Sequence, residues 1–530
     1  MIKKRVFAPL AVACAMLAGG VLTSGAAQAQ DKVFRMVPYA DLKILDPMFT
    51  TSYVTRNFGY MVYDTLFSMN AKGEPKPQMV DSWEVSPDSK TWTFKLRPGL
   101  KFSDGAAVKA ADCVASLKRW QARDNIGHAM TQAGGEWSVV DDNTFRLTLS
   151  SPFGLVLDGL AKVSSYPAFI MPERLASQSD TDGKPLAEVV GSGPYLFKKD
   201  EWVPGNKVVF VRNPDYVPRK EAPDGLAGNR ESHMDRVEWV ILPDANSSIA
   251  ALKNKEVDMI EQVPPDFIST MRNEQDLTTG QLNRQQVYAT LNHAIPPFDN
   301  AKMRLAVAHA INQDNTTAAM GYPDDARVKY CDTFFICGGP NATSAGSAPF
   351  AKPNLDLAKQ LLSEAGYKGE KIAVLLPADV GYLNAATLVT AQAMQSIGMN
   401  VDLLPMDWST LTARRAKKTP VSDGGWNVFV SSAAEFNVDS PINNTYLGAA
   451  CGNSLPGWPC DEKLDQLRTQ WIAATDPAER KKLLDAFQEE AWKTIPNLPI
   501  GQYSGIFAAQ KNITNTDKLW GLPNVWVLDR

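Results

Sequence analysis

The sequence predicts an α/β protein built from more than one domain, and three observations carry that prediction. Residues 371–377 (KIAVLLP), 385–397 and 399–405 read as strand, helix and strand with Gly398 ending the helix, a unit that makes parallel strands joined by a right-handed crossover. Residues 83–85 and 91–97 (TWTFKLR) are β-branched or aromatic in near alternation. They flank Ser86-Pro87-Asp88-Ser89-Lys90, whose side chains favour a turn, so the pair forms a hairpin, and residues 108–121 beyond it place Val114, Leu117 and Trp120 on one helical stripe. At 530 residues with 44% apolar content the chain can bury more than one core, roughly two to four domains at about 150 residues each.

Taken in order, Lys3, Lys4 and Arg5 lead into an apolar run over 6–22 and small residues ending Ala27-Gln28-Ala29, the layout of an export signal cleaved after Ala29. Gly19-Gly20 interrupts that run, and no later stretch approaches the about 20 apolar residues of a membrane span. Without the three basic residues, 51 Lys and Arg face 58 Asp and Glu, a net charge of about −7, and no basic run tracks phosphates, which argues against nucleic acid as a partner. An exported chain meets an oxidising compartment, so Cys331 with Cys337 and Cys451 with Cys460 read as local disulfides and Cys113 as a buried thiol. Zinc would want shorter cysteine spacings, and His128, His233, His293 and His309 stand far apart; no metal or other cofactor is expected.

Residues 32–39 form the first strand. Thr50, Thr51, Ser52 and Tyr53 open a helix running through Tyr63, with a hydroxyl-rich start whose free backbone N–H groups can face a ligand. Residues 144–150 are a strand in a segment of short elements, so residues 66–190 read as a subdomain. Strands return at 195–197, 207–213 and 236–242, Asn246 caps a helix through 254, and 286–292 is extended. Helices dominate afterwards. Asp299 caps 301–311, Asn354 caps a helix that Gly366 ends, and 461–474 with 477–492 make a helical hairpin about Asp476-Pro477. The chain closes on an extended stretch over 501–509 and a tail over 520–528. Enzyme signatures such as G-x-S-x-G, S-x-x-K and the glycine-rich phosphate loops are absent, while 13 Trp and 14 Tyr supply aromatic surface for packing or for a ligand.

The succession YDTLF (63–67), SWEVS, TWTFKLR, GLKFSDG and a helix carrying AAD resembles the opening of the periplasmic solute-binding proteins, family 5, that serve dipeptide, oligopeptide and nickel ABC importers. GSGPYLF (191–197) with RNPDY (212–216), LK with EVDMI (252–260), LN with PPFD (291–299) and LLSEAGY (361–367) resemble later segments of that family in the same order. The resemblance implies a two-lobed α/β fold of the Venus-flytrap kind with an extra subdomain in the first lobe. Residues 30–290 would form the first lobe, 291–497 the second, and 498–530 would return to the first. It implies a monomeric, periplasmic carrier of a small polar organic solute, peptide-like, cationic or sugar-like, that hands its guest to membrane permease subunits. The alternative is an exported hydrolase with paired carboxylates on the same architecture.

The same resemblance points to ligand contacts at Thr50, Thr51, Ser52 and Tyr53, at Trp408, and at a segment holding Trp426, Glu435 and Asp439, either carboxylate being placed to meet an ammonium. Asp379 and Tyr382 occupy the loop where dipeptide binders place an arginine. An Asp cannot clamp a carboxylate as a guanidinium fork does, so an ordinary dipeptide is not the expected guest.

Overall fold

The computed structural model describes residues 32–178, 184–242, 244–449, 451 and 455–530, and the export signal lies outside the described residues. Its backbone is one mixed sheet of eleven strands: Val33–Val37 (β1), Tyr195–Phe197 (β2), Lys207–Arg212 (β3), Arg236–Val240 (β4), Met259–Ile260 (β5), Leu277–Leu291 (β6), Arg327–Val328 (β7), Lys371–Pro377 (β8), Asn400–Met406 (β9), Val428–Ala434 (β10) and Leu498–Gln510 (β11). The order across the sheet is β2-β3-β4-β1-β5-β11-β6-β10-β8-β9, with β7 on β11.

Two parallel groups flank its antiparallel centre, with β2 and β3 added antiparallel outside the first. β1 runs parallel to β4 and β5, and β8 runs parallel to β9 and β10. Ile372, Ala373, Val374 and Leu375 are all buried, as expected of a central parallel strand covered on both faces. The predicted strand-helix-strand unit is present, with β8 paired to β9 from Lys371 on Asn400 to Pro377 on Met406. Its helix spans Gly381–Ser396 and starts earlier than the pattern suggests, because Asn384 Nδ2 donates to the Pro377 carbonyl at 2.8 Å and folds the turn tightly onto the strand end.

β6 and β11 are long and belong to both halves. They pair from Leu277 on Gln510 to Ala289 on Leu498; β5 joins β11 at Met259 on Ala509, whereas β10 joins β6 from Gln285 on Ala434 to Leu291 on Val428. Asn283 drops out of the ladder at φ +61, a bulge that bends the strand where the two halves meet. Asn tolerates this left-handed conformation better than other non-glycine residues. Sequence pattern finds only the apolar end of β6, because 277–285 (LTTGQLNRQ) is polar and is held extended by pairing with the wholly buried β11.

The segment between β1 and β2 folds the hairpin Val80–Val85 and Thr91–Leu96 into a four-stranded antiparallel sheet with Thr144–Thr148 and Glu136–Asp141. Val114, Leu117 and Trp120 of helix Ala110–Gln121 are buried, as is the free Cys113. Two predicted caps are corrected. Asp244, not Asn246, caps Ala245–Lys253 by accepting from Ser247 N at 3.0 Å, and Asn300, not Asp299, caps Ala301–Ala310 by accepting from Lys302 N at 2.9 Å. The first cap lies two residues earlier and the second one residue later than the capping pattern indicates, within the usual scatter of helix ends. At the other end of the chain, Lys32 Nζ lies 2.8 Å from Asp529, which ties the tail to the start of β1.

Candidate ligand-binding cleft

In parallel α/β sheets, ligands sit outside the carboxyl ends of the strands. Here residues at the ends of β1 (Tyr39) and β5 (Glu261, Gln262) and Tyr382 in the first turn of the helix that follows β8, together with Ser432 of β10 and Tyr503 of β11, line one cavity of about 230 Å³. We call it the hinge chamber, because Leu282, Asn283 and Gln285 of the bulged β6 form its floor.

Helix Tyr53–Val62 (α1) points its first turn into this chamber. Tyr53 and Arg56 are three residues apart, hence on one face, and the Arg56 guanidinium lies 5.1 Å from the Tyr53 ring centroid. Arg56 Nε and Nη2 donate to Asn57 Oδ1 at 3.1 and 2.8 Å, and Asn57 Nδ2 donates to Glu261 Oε1 at 3.1 Å. Tyr39 N donates to Glu261 Oε2 at 2.9 Å. Burial pushes the Glu261 carboxyl up to about 7, against the pull of Tyr39 N, Arg56 and Asn57, and burial lowers Arg56 from its usual value. On the far wall Tyr503 stacks on Tyr322 with centroids 4.1 Å apart, and Tyr382 meets its edge at 6.3 Å.

Tyr53 also ties the halves together. Its hydroxyl accepts from Asn437 Nδ2 at 2.8 Å and from Ala434 N at 3.4 Å, joining α1 to the end of β10.

A second cavity, the outer chamber, has a volume of about 180 Å³ and is lined by Lys162, Arg284, Glu435 and Asp439 among others. These four side chains are already engaged. Glu435 pairs with Arg284 Nε, Arg284 Nη1 donates to the Cys337 carbonyl at 3.1 Å, and Lys162 pairs with Asp124. Asp439 accepts from Asn443 Nδ2 at 2.9 Å, and burial pushes it up to about 6. The Cys331–Cys337 disulfide, with Cα atoms 5.6 Å apart, holds the loop whose Gly338 to Asn341 form part of this wall; Cys451–Cys460 closes a second loop with Cα atoms 4.5 Å apart. Among the described residues no group of three or more His, Cys, Asp and Glu could hold a metal ion.

Of the residues singled out in the sequence, Tyr53 and Tyr382 meet in the hinge chamber, and Glu435 and Asp439 in the outer one. Thr50, Thr51 and Ser52 line neither; Ser52 N donates to Thr50 Oγ1 at 3.2 Å, an internal turn. Trp426 is fully buried, donates Nε1 to the Arg415 carbonyl at 2.9 Å and packs edge-on to Phe429, so it is core and not cleft wall. Trp408 packs on the same small cluster of Leu375, Leu411, Trp426 and Phe429. Asp379 is exposed and accepts from Trp408 N at 2.8 Å, securing the start of helix Trp408–Arg415. Arg56, Glu261 and Tyr503 were not foreseen. The first was reachable, lying one helical turn beyond Tyr53.

Residues 74–453 match the model of the bacterial extracellular solute-binding proteins, family 5. The chain belongs to that family. A probable peptide ABC transporter periplasmic-binding protein of Sinorhizobium fredii is 35% identical over 99% of this chain and 98% of its own length. The glutathione-binding protein GsiB of Escherichia coli is 26% identical over 96% of this chain and 95% of its own. Among solved structures, the periplasmic binding protein AgaA of A. tumefaciens, in complex with agropinic acid, matches with TM-score 0.73 and 25% identity over 93% of this chain and 96% of that one. This family 5 protein is therefore two-lobed, a mixed α/β binding component of an ABC importer that works with membrane permease subunits. Members of the family bind substrates for import and do not transform them, and the hydrolase alternative finds no support.

Proposed function

We propose that the hinge chamber is the solute site and that its guest is a small, polar, peptide-like molecule held between the two lobes. The carrying observation is that groups from both sheet halves converge there at the strand ends: Tyr39, Tyr53 and Glu261 from one, Tyr382 and Ser432 from the other, around the bulge at Asn283. Rotation about that bulge and the adjoining stretch of β11 would open and close the site, with residues 30–290 and 498–530 in one lobe and 291–497 in the other, the exchange running within the two long strands. Guests named for the relatives, peptide, glutathione and agropinic acid, are small and polar, which supports the same class here. Phenolic and amide groups would fix the guest's orientation, and the water-excluding walls would strengthen each polar contact. On this reading the chain acts as a monomer after removal of its export signal behind Ala29.

The test is small-angle scattering of the mature protein with and without an equimolar randomised tripeptide library, together with mass spectrometry of the peptides retained. Retention with compaction is expected. A panel that leaves the scattering curve unchanged and nothing bound overturns the proposal.

A further inference from the structure

The hinge chamber is lined by one arginine whose guanidinium is not fully used by the described residues. Arg56 is only 4% exposed and lines the chamber. Its face covers Tyr53, and its Nε and Nη2 both go to the single oxygen of Asn57. Nη1 is buried and has no hydrogen-bond partner among the described residues. Leaving a buried donor unmade costs about 1–3 kcal/mol, and more where the group is charged, so such a donor on a residue that lines a cavity calls for an explanation from function. The neighbouring carboxylate does not provide one, since Glu261 already accepts from Tyr39 N and Asn57 Nδ2 and touches Arg56 only through Asn57.

We propose that Arg56 is the receptor for a carboxylate of the solute, so that the importer serves guests with a free carboxylate end. This rests on the reading of the hinge chamber as the solute site and adds the guest's charge to it. A carboxylate accepts from a guanidinium at roughly twice the strength of a neutral hydrogen bond, and Arg56, which lines the cavity, keeps Nη1 uncommitted, so a small turn of the side chain brings that donor to an incoming oxygen. The hydroxyls of Tyr382, Ser432 and Tyr503 line the same chamber from the other half and can donate to the second carboxylate oxygen. An anion held this way engages both lobes at once, so its binding favours the closed form over the open one. Asp379, in the loop where dipeptide binders of this family carry an arginine, is exposed and occupied with Trp408 N. The positive charge comes from the first lobe instead.

The deciding experiment offers the mature protein two probes, the randomised tripeptide library and the same library amidated at its C-terminus, and weighs the peptides retained. Free acids should be retained about ten- to hundredfold better than amides, the range expected for one charge-assisted contact. Arg56→Gln should erase that preference, and Arg56→Lys should keep part of it. Equal or better retention of the amides overturns the Arg56 assignment and leaves the peptide-like reading standing; retention of neither library overturns both. A folded Arg56→Gln protein that still prefers free acids also overturns the assignment. The comparison of libraries uses the unaltered protein, so it decides the matter whether or not the Gln variant folds.

Discussion

The hinge chamber and the outer chamber share β6 as a wall, with Asn283 and Gln285 facing the first and Arg284 the second, yet they treat charge in opposite ways. In the outer chamber the two more buried cations have found their anions, Arg284 holding Glu435 and Lys162 holding Asp124, and only the exposed Lys72 of its lining has no ion pair among the described residues. In the hinge chamber Arg56 keeps an open edge, and its nearest carboxylate is pushed by burial to about 7. Neutralised pairs stabilise a closed geometry by their mutual geometry and offer little to a newcomer, because a guest would have to displace a partner already in place. An uncommitted buried charge is the opposite case. On the proposed reading, the difference separates a chamber that holds the fold from one that receives the guest.

The largest effect that can break this comparison comes from the outer chamber. Arg284→Met leaves Glu435 buried and alone, and should lower unfolding stability by about 2 kcal/mol, less than the 3–5 of a fully buried pair because the Arg284 side chain is 34% exposed. Glu435 is already raised by desolvation, and without Arg284 it binds a proton more readily when folded, so the deficit should be small at pH 5 and greatest at pH 8. Tripeptide capture should change less than about threefold. Denaturant melts and capture assays on the one variant decide: capture lost with stability intact would exchange the roles of the two chambers. A smaller effect is expected at the contact between the lobes. Tyr53→Phe removes the hydroxyl that accepts from Asn437 Nδ2 and Ala434 N, and should weaken capture about three- to tenfold while shifting the unliganded scattering curve toward an open form. Unchanged capture would mean that this contact does not hold the closed state.

Much of the architecture was legible because local pattern and tertiary role agree. KIAVLLP is apolar throughout and is a central parallel strand; TWTFKLR alternates and is one half of a hairpin. Where they disagree, the pattern fails. LTTGQLNRQ is too polar to show a strand pattern, and pairing with β11, far away in the chain, makes it a strand. The cleft divides in the same way. Tyr53 and Tyr382 stand at helix starts next to strand ends, a position visible in a sequence. Trp408 and Trp426 illustrate the converse, since an indole after a strand serves a core as well as a ligand wall, and no spacing tells the two apart. Arg56 and Glu261 are brought together by the pairing of β1 with β5, across some two hundred residues of chain that carry no shared motif.

The finest test of the comparison is a pH profile. In the free protein Glu261 titrates near 7, while burial raises Tyr39, Tyr53 and Tyr503 further away from neutrality, so Glu261 is the chamber group that changes charge between pH 6 and 8. A carboxylate on Arg56 sits beside Glu261 and is repelled when that group is ionised. Binding the anion therefore raises the Glu261 value further and takes up protons, which makes capture tighter below pH 7 and looser above it, by about three- to tenfold across the window. Asp439, near 6, belongs to the other chamber and should leave this slope untouched. Glu261→Gln should flatten the profile at the tight end. A slope of the opposite sign, tighter at pH 8, would mean that Glu261 grips an ammonium, and that a cationic group, and not a carboxylate, is what the hinge chamber recognises.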